Sequence, residues 1–239
     1  MKGHSHILPL LFFSILMGKN VFSQDNQFFK EVLVKTEAFY KNTQSYSIET
    51  KYEYFETQNA SQPLETLEGF IFKNNTNYFS KIGTTDFVYI QDVFLKLDHA
   101  EKAVIYSKSE GKNSFLPIEL SSMIAHFESI VATSNKNEIV FDLSFKEELS
   151  IPYTKMVLLI NSKTFEINRQ ELYFKENQKF PWTYNFEKPI NEAKMIITLT
   201  PSNKNYPGSL LSLSNYISNS KTLKLSQKFD SYKLYNLSQ

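Results

Sequence analysis

The chain contains no cysteine. Disulfides, thiolate metal ligands and a cysteine nucleophile are therefore excluded. The same absence removes the residue to which a lipid anchor is attached at the start of an exported protein, so an exported form is expected to be untethered. Glycine is scarce, with 6 residues, and these are isolated, which leaves no phosphate-cradling loop. Of the 4 histidines, His4 and His6 lie in the N-terminal stretch. His99 and His126 stand alone, without a ligating or catalytic neighbour in the sequence. Neither a zinc site nor a Ser-His-Asp relay is assembled from them. Arg169 is the only arginine; it alternates with Glu171 and is expected to form an exposed ion pair with it or with a neighbouring strand.

An excess of one charge is also missing. With 26 Lys+Arg against 25 Asp+Glu and no basic stripe, nucleic acid and anionic membrane surfaces are poor partners. Acid–base work needs two carboxylates facing across a cleft with displaced pKa values. Glu147 beside Glu148, and Glu65 with Glu68, read instead as solvated pairs. Nothing marks a catalytic centre and no cofactor or metal is called for, so the chain reads as a protein that is not an enzyme.

What is present begins with a processing segment. Lys2 precedes an apolar run over residues 7–17 (ILPLLFFSILM), and Val21-Phe22-Ser23 has the spacing of a cleavage site. The expected organisation is a signal peptide over residues 1–23, cleaved near Ser23/Gln24, and one domain over residues 24–239. Those 216 residues are enough for a sizeable core. The expected compartment is the periplasm, and no later stretch is apolar enough for a stable membrane span. The Asn-x-Ser/Thr triplets at Asn59, Asn74 and Asn236 read as chance, because the leader fits a bacterial envelope.

Residues 25–42 (DNQFFKEVLVKTEAFYKN) predict an amphipathic helix capped by Asp25, with Phe28, Val32, Phe39 and Tyr40 near one face. Phe29, Leu33 and Thr36 widen that stripe. Residues 45–108 then alternate apolar and polar side chains between short Asn, Gly and Asp clusters, the pattern of consecutive antiparallel strands. On the first strand, Tyr46, Ile48, Thr50, Tyr52 and Tyr54 share one face, and Ser47, Glu49, Lys51 and Glu53 take the other. Gly69 marks a place where the wall bends or bulges. Pro117 opens an expected second helix over residues 118–131, with Leu120, Ile124, Phe127 and Val131 as its stripe. Further strands follow over residues 138–145, 155–161, 165–175 and 194–200. Residues 209–239 read as one or two edge strands. The expected fold class is α+β: an unclosed antiparallel β-barrel, a half-barrel, with covering helices.

Aromatic residues make up 15% of the chain, with 14 Tyr and 21 Phe, and several strands carry bulky side chains on both faces. One apolar layer is expected to pack under the helices while the other lines a cavity suited to acyl chains. The candidate lining residues are Tyr52, Tyr54, Phe70, Phe72, Phe79, Val88, Ile90 and Phe141. Leu120, Ile124 and Phe127 are the candidate lid residues.

This order of elements resembles the periplasmic carriers and receptors that sort lipoproteins to the outer membrane (LolA/LolB-like). The resemblance rests on the leader, the helix running into KNTQSYSIETKYEY, the meander, the later covering helix and the hairpin MVLLINSKTFEINRQELYF. It spans roughly residues 27–200. It implies a half-barrel closed by a helical lid over an apolar cavity, binding acyl chains of lipoproteins or lipids for transfer toward the outer membrane. Because no cysteine is present, it implies the soluble carrier rather than the anchored receptor. The alternative is an envelope scaffold or accessory subunit that binds a protein partner through a strand edge or the C-terminal tail.

Overall fold

The computed structural model describes residues 14–108, 121–175, 193–219 and 222–238. A single long helix, α1 (Ser14–Asn42), comes first. It starts inside the stretch expected to be a leader and stops at the expected residue, where the Thr43 N–H and hydroxyl both donate to the Phe39 carbonyl, at 3.0 and 2.7 Å. Phe29, Val32, Leu33, Thr36 and Tyr40 are its buried side chains, spaced three and four apart as one helical face requires. Phe28 and Phe39, which the sequence put at the centre of the stripe, flank it instead and are partly buried.

A six-strand meander follows: β1 (Ser45–Phe55), β2 (Glu65–Asn74), β3 (Asn77–Ile82), β4 (Thr85–Ile90), β5 (Val93–Asp98) and β6 (Ala103–Lys108). The connections are short, and residues with positive φ (Asn75, Gly83, Gln91 and Lys102) turn them. After a 3₁₀ turn at Ser121–His126 comes a second meander. It consists of β7 (Phe127–Ser134), β8 (Glu138–Phe145), β9 (Tyr153–Asn161), β10 (Ile167–Phe174) and β11 (Lys194–Ser202). The tail holds a small hairpin, β12 (Ile217–Asn219) with β13 (Lys224–Leu225), and a last strand, β14 (Lys233–Asn236).

Antiparallel pairing of β1 with β11 joins the two meanders into one 12-stranded sheet, with β7 at one edge and β14 at the other. The sheet is unclosed, as expected. It is not wholly antiparallel, because β14 runs parallel to β6. Among the described residues there is one α-helix rather than several. Gly69 sits where β1, β2 and β3 crowd together: a Cβ there would run into the Lys81 carbonyl and come within 2.9 Å of the Thr50 hydroxyl oxygen. The bend expected at this residue is thus a close backbone approach that a side chain would block.

The second expected helix is corrected by the structure. Phe127–Ser134 is a strand, paired antiparallel with β8. The helical spacing of Phe127 and Ile130 arises from a bulge. Phe127 opposes Phe145 while Ser129 opposes Ser144, so Glu128 is an extra residue. One added residue lets two apolar side chains three positions apart reach the same face of a strand. Val131, counted in the helical stripe, is 52% exposed on the edge.

The two faces of the sheet are covered in different halves. On one face, α1 packs across β1 and β7 to β11, burying Ile48, Phe141, Leu143, Leu158 and Ile160 among others. Phe29 meets Phe141 edge-on, with ring centroids 4.7 Å apart. On the other face, the tail lies over β3 to β6, where Phe79, Val88, Leu95, Leu97 and Val104 are buried against Tyr216, Ile217, Leu225 and Phe229. His99 fastens this second layer. Its Nε2 lies 2.8 Å from Asp86 Oδ2 on β4, and its Nδ1 lies 2.9 Å from the Tyr232 hydroxyl in the tail.

The end of α1 is pinned by a lysine from β2. Lys73 is 2% exposed, and its Nζ donates to the carbonyls of Tyr40, Lys41 and Thr43 at 2.6, 3.1 and 2.6 Å. The Tyr46 and Tyr78 rings flank it, each 5.6 Å from the ammonium. A cation at a helix C-terminus meets both the free carbonyls and the negative end of the macrodipole.

Tyr40, 0% exposed, accepts a hydrogen bond from the Ile167 N–H through its hydroxyl oxygen at 3.0 Å. Burial pushes its pKa up to about 12, against the Ile167 N–H, which works to lower it, and with Glu166, which adds to the rise. A raised folded pKa means that the stabilisation is complete below the unfolded value of about 10 and is lost as the pH climbs toward 12. Unfolding at a series of pH values should therefore show stability falling above pH 10, at about 1.4 kcal/mol per pH unit for Tyr40 alone. Burial also raises Tyr46 and Tyr54 and steepens the fall. Lys73, lowered by burial, adds a rise that ends near pH 10.5. Tyr40→Phe should be less stable at neutral pH, having lost the acceptor for Ile167, yet flatter above pH 10. An unchanged alkaline slope in this variant would count against the assignment.

Candidate functional site: an apolar face outside both cores

Because α1 covers one half of the sheet and the tail covers the opposite face of the other half, two quarters of the sheet belong to neither core. Their chemistry differs. On the tail side of β1 and β8 to β11 charged pairs, Lys51 with Glu53 at 2.7 Å, Lys155 with Asp142 at 2.6 Å and Arg169 with Glu171 at 2.8 Å, alternate with Val140, Val157, Leu159 and Ile196. This is a mixed exterior in which each apolar side chain has a charged neighbour. The Arg169–Glu171 pair is the one expected from the sequence.

The quarter on the helix side of β1 to β6 is apolar. The strand registers align Tyr52 with Leu67, and Phe87 with Lys96; Ile82, Phe94 and Ile105 lie on the same face. Leu67, Ile82, Phe87, Phe94 and Ile105 are only partly buried and, among the described residues, join neither the helix-side nor the tail-side core; Tyr78, Ser80 and Tyr89 on the same face are buried. Tyr52 stands at the border of this patch. Burial raises its hydroxyl pKa, opposed by the neighbouring Thr50 side chain, so it is a neutral phenol there. Strands β4 to β6 are thus apolar on both faces, with one face committed to the tail and the other outside both cores. Single exposed apolar residues are ordinary on a protein surface, whereas several sharing one sheet face mark a binding surface.

The residues picked from the sequence divide between these layers. Tyr52 alone borders the apolar quarter. Tyr54 and Phe141 lie on the same side of the sheet, within the helix-covered core; Tyr54 packs against Phe174, with centroids 6.0 Å apart. Phe70, Phe72, Phe79, Val88 and Ile90 face the other way. Phe79, Val88 and Ile90 are buried in the tail-side core. Tyr206 stacks on Phe70 at 4.0 Å and tilts against Phe72 at 5.8 Å. These eight residues do not line one space. Of the lid residues, Leu120 lies outside the described residues. Ile124 sits in the 3₁₀ turn, partly buried against the helix-side core, and Phe127 is buried in β7.

The residues missed were Leu67, Ile82, Phe87, Phe94 and Ile105. Their alternation with Phe70, Val88, Leu95 and Val104 was visible, but which set the core would claim depended on where the tail docked. Two openings among the described residues have mixed linings with many charged or amide side chains. One of about 430 Å³ on the tail side is walled by Glu49, Lys51, Glu68, Lys81 and Lys204 among others. Another of about 600 Å³ at the N-terminal part of α1 is walled by Gln24, Asp25, Gln27 and Glu31 among others. Neither has the lining an acyl chain needs. Among the described residues no group of three or more His, Asp or Glu is placed to hold a metal, and no helix is long and apolar enough to cross a membrane.

No protein-family model matches this chain, and no curated protein matches it. Solved structures do. A LolA superfamily protein from Nitrosomonas europaea matches over 77% of this chain and 96% of its own, with 11% identity and a TM-score of 0.33. An uncharacterized conserved protein from Thermus thermophilus matches over 87% and 98%, with 10% identity and a TM-score of 0.43. An outer membrane lipoprotein-sorting protein domain (putative in its own description) from Vibrio parahaemolyticus matches over 75% and 94%, with 10% identity and a TM-score of 0.30. Overlaps of this size say nothing about activity, which has to be argued from this chain's own geometry.

Proposed function

We propose that this chain is a non-enzymatic carrier, exported to the periplasm, that holds acyl chains of a lipoprotein or lipid on the apolar face of a half-barrel for transfer toward the outer membrane. The observation that carries this reading is the row of Leu67, Ile82, Phe87, Phe94 and Ile105, apolar and partly open on a sheet face that neither core uses. Burying each such side chain against a ligand is worth about 1.5–3 kcal/mol, so the five together reach the roughly 8 kcal/mol that micromolar binding needs. Tyrosine at the border adds a phenol that can meet a polar group where the ligand leaves the apolar surface.

Titration of the purified protein with a fluorescent long-chain fatty acid is the first test. The expected result is saturable micromolar binding, weakened about tenfold or more by Phe87→Ser or Ile105→Ser while Phe141→Leu, in the helix-side core, leaves affinity unchanged. Absence of binding by the wild-type protein would sink the carrier reading. Intact-mass measurement of protein recovered from the envelope should give a chain starting at Gln24.

The scaffold reading retains one supporting observation. Strand β7 is a sheet edge with an exposed Val131, and an open edge is a surface to which an extended partner segment can add. The tail is a poor arm for a partner, because Tyr216, Ile217, Leu225 and Phe229 are buried core residues.

A further inference from the structure

We propose that Lys96 on β5 recognises the anionic group of the bound amphiphile, so that the ligand is a single-chain anion rather than a neutral lipid. This rests on the reading that the surrounding apolar face takes an acyl chain. Lys96 is partly buried, and its strand register sets it between Phe87 on β4 and Ile105 on β6, with Phe94 two residues away on the same face. Among the described residues no ion pair or hydrogen bond of its ammonium exists. Asp98, the carboxylate two residues along the same face, is engaged elsewhere: its Oδ1 accepts from the N–H groups of Ala100 and Glu101 at 3.1 and 3.0 Å.

Three other partly buried lysines in or beside the sheet have an oxygen partner. Lys155 has Asp142, Lys175 the Leu149 carbonyl at 2.8 Å, and Lys194 the Gln58 carbonyl at 2.6 Å. An ammonium set among rings and branched aliphatic groups, with no acceptor of its own, is free to pair with an incoming anion. An incoming carboxylate or phosphate supplies that anion. Apolar side chains on the same face are available to the chain attached to it. From Lys96 on β5, Phe87 lies directly across on β4, and Ile82, Leu67 and Tyr52 continue diagonally over β3, β2 and β1, past Ser80 and Gly69. Four strand spacings amount to about 19 Å, which suits a long acyl chain laid across the strands. The anionic end would sit at Lys96 and the chain end toward Tyr52.

The test compares palmitate, hexadecanol and hexadecyl phosphate on the full-length protein by displacement of a fluorescent acyl probe, with acetate and inorganic phosphate as chainless controls. Wild type should bind one or both of the anionic ligands at least tenfold more tightly than hexadecanol; which of the two is tighter identifies the head group. The chainless anions should not compete. Lys96→Met, with Lys96→Gln as a second variant, should remove the preference by weakening the anionic ligands. Lys96→Arg should keep it. Equal binding of charged and neutral ligands by wild type, or a preference that survives in Lys96→Met, would overturn the role of Lys96 and leave the apolar face standing. Failure of all three chain-bearing ligands to bind wild type would instead bring down the carrier reading itself.

Discussion

Ending the chain at Pro207 should abolish cooperative folding rather than merely weaken a partner interaction. The residues removed include Tyr216, Ile217, Leu225 and Phe229, all buried against β3 to β6. Uncovering a large core side chain costs about 2–5 kcal/mol, so losing four such side chains removes about 10 kcal/mol or more. That is comparable to the whole stability of an ordinary domain, about 5–15 kcal/mol. Two further contacts go with them. Strand β14 leaves β6, with which it pairs from Lys233–Ala103 to Asn236–Tyr106, so β6 becomes an open edge. His99 loses the Tyr232 hydroxyl. The expected outcome is an aggregating product with no sharp thermal transition, read by circular dichroism and size-exclusion chromatography. A truncated chain that melts cooperatively near the full-length temperature would mean that the tail is an appendage after all. Phe229→Ala is the milder companion, expected to lose about 3–5 kcal/mol and to remain folded.

Lys73→Met should cost about as much as Phe229→Ala, although it keeps the side-chain volume and replaces a charge with an apolar group in a buried place. The loss follows from what the ammonium holds. The carbonyls of Tyr40, Lys41 and Thr43 converge on Nζ, and a thioether offers them no hydrogen. Hydrogen bonds to a charged group contribute about 1.5–3 kcal/mol, and leaving a buried acceptor unpaired costs about 1–3 kcal/mol. The favourable position of a cation at the negative end of α1 is lost as well. A net destabilisation of about 3 kcal/mol or more is expected, which for a domain of this size lowers the melting temperature by roughly 6–12 °C. Arginine should not rescue the fold, because its larger planar head has to fit between the Tyr46 and Tyr78 rings. Denaturant unfolding of the two variants measures both effects. A Lys73→Met protein as stable as wild type would show that the carbonyls find another donor.

The strands were legible because each reads out locally. The face of β1 carrying Tyr46, Ile48, Thr50, Tyr52 and Tyr54 is the helix-side face, and the bend at Gly69 is where a Cβ has no room. The second helix was misread because a bulge at Glu128 gives Phe127 and Ile130 a helical spacing on a strand. Periodicity alone cannot separate those two cases over a few residues. Lys73 drew no notice in the sequence, although it caps the end of a helix 30 to 33 residues earlier. Nothing local announces a partner that distant. His99, read as a solitary turn residue, likewise meets its hydroxyl partner 133 residues away.

Composition and alternation by themselves determined a cysteine-free chain built on a long β-meander behind an amphipathic helix, with bulky apolar side chains on both faces of several strands. Those properties depend on residue type and on the two-residue period of a strand. Only the tertiary structure decided which apolar face is filling and which is surface. The side chains of β4 to β6 are greasy on both sides, and the choice falls to the docking of a tail more than 100 residues further on. Once Phe229 and its neighbours occupy the side bearing Phe79 and Val88, the side bearing Phe87, Phe94 and Ile105 is left over, with Lys96 among them.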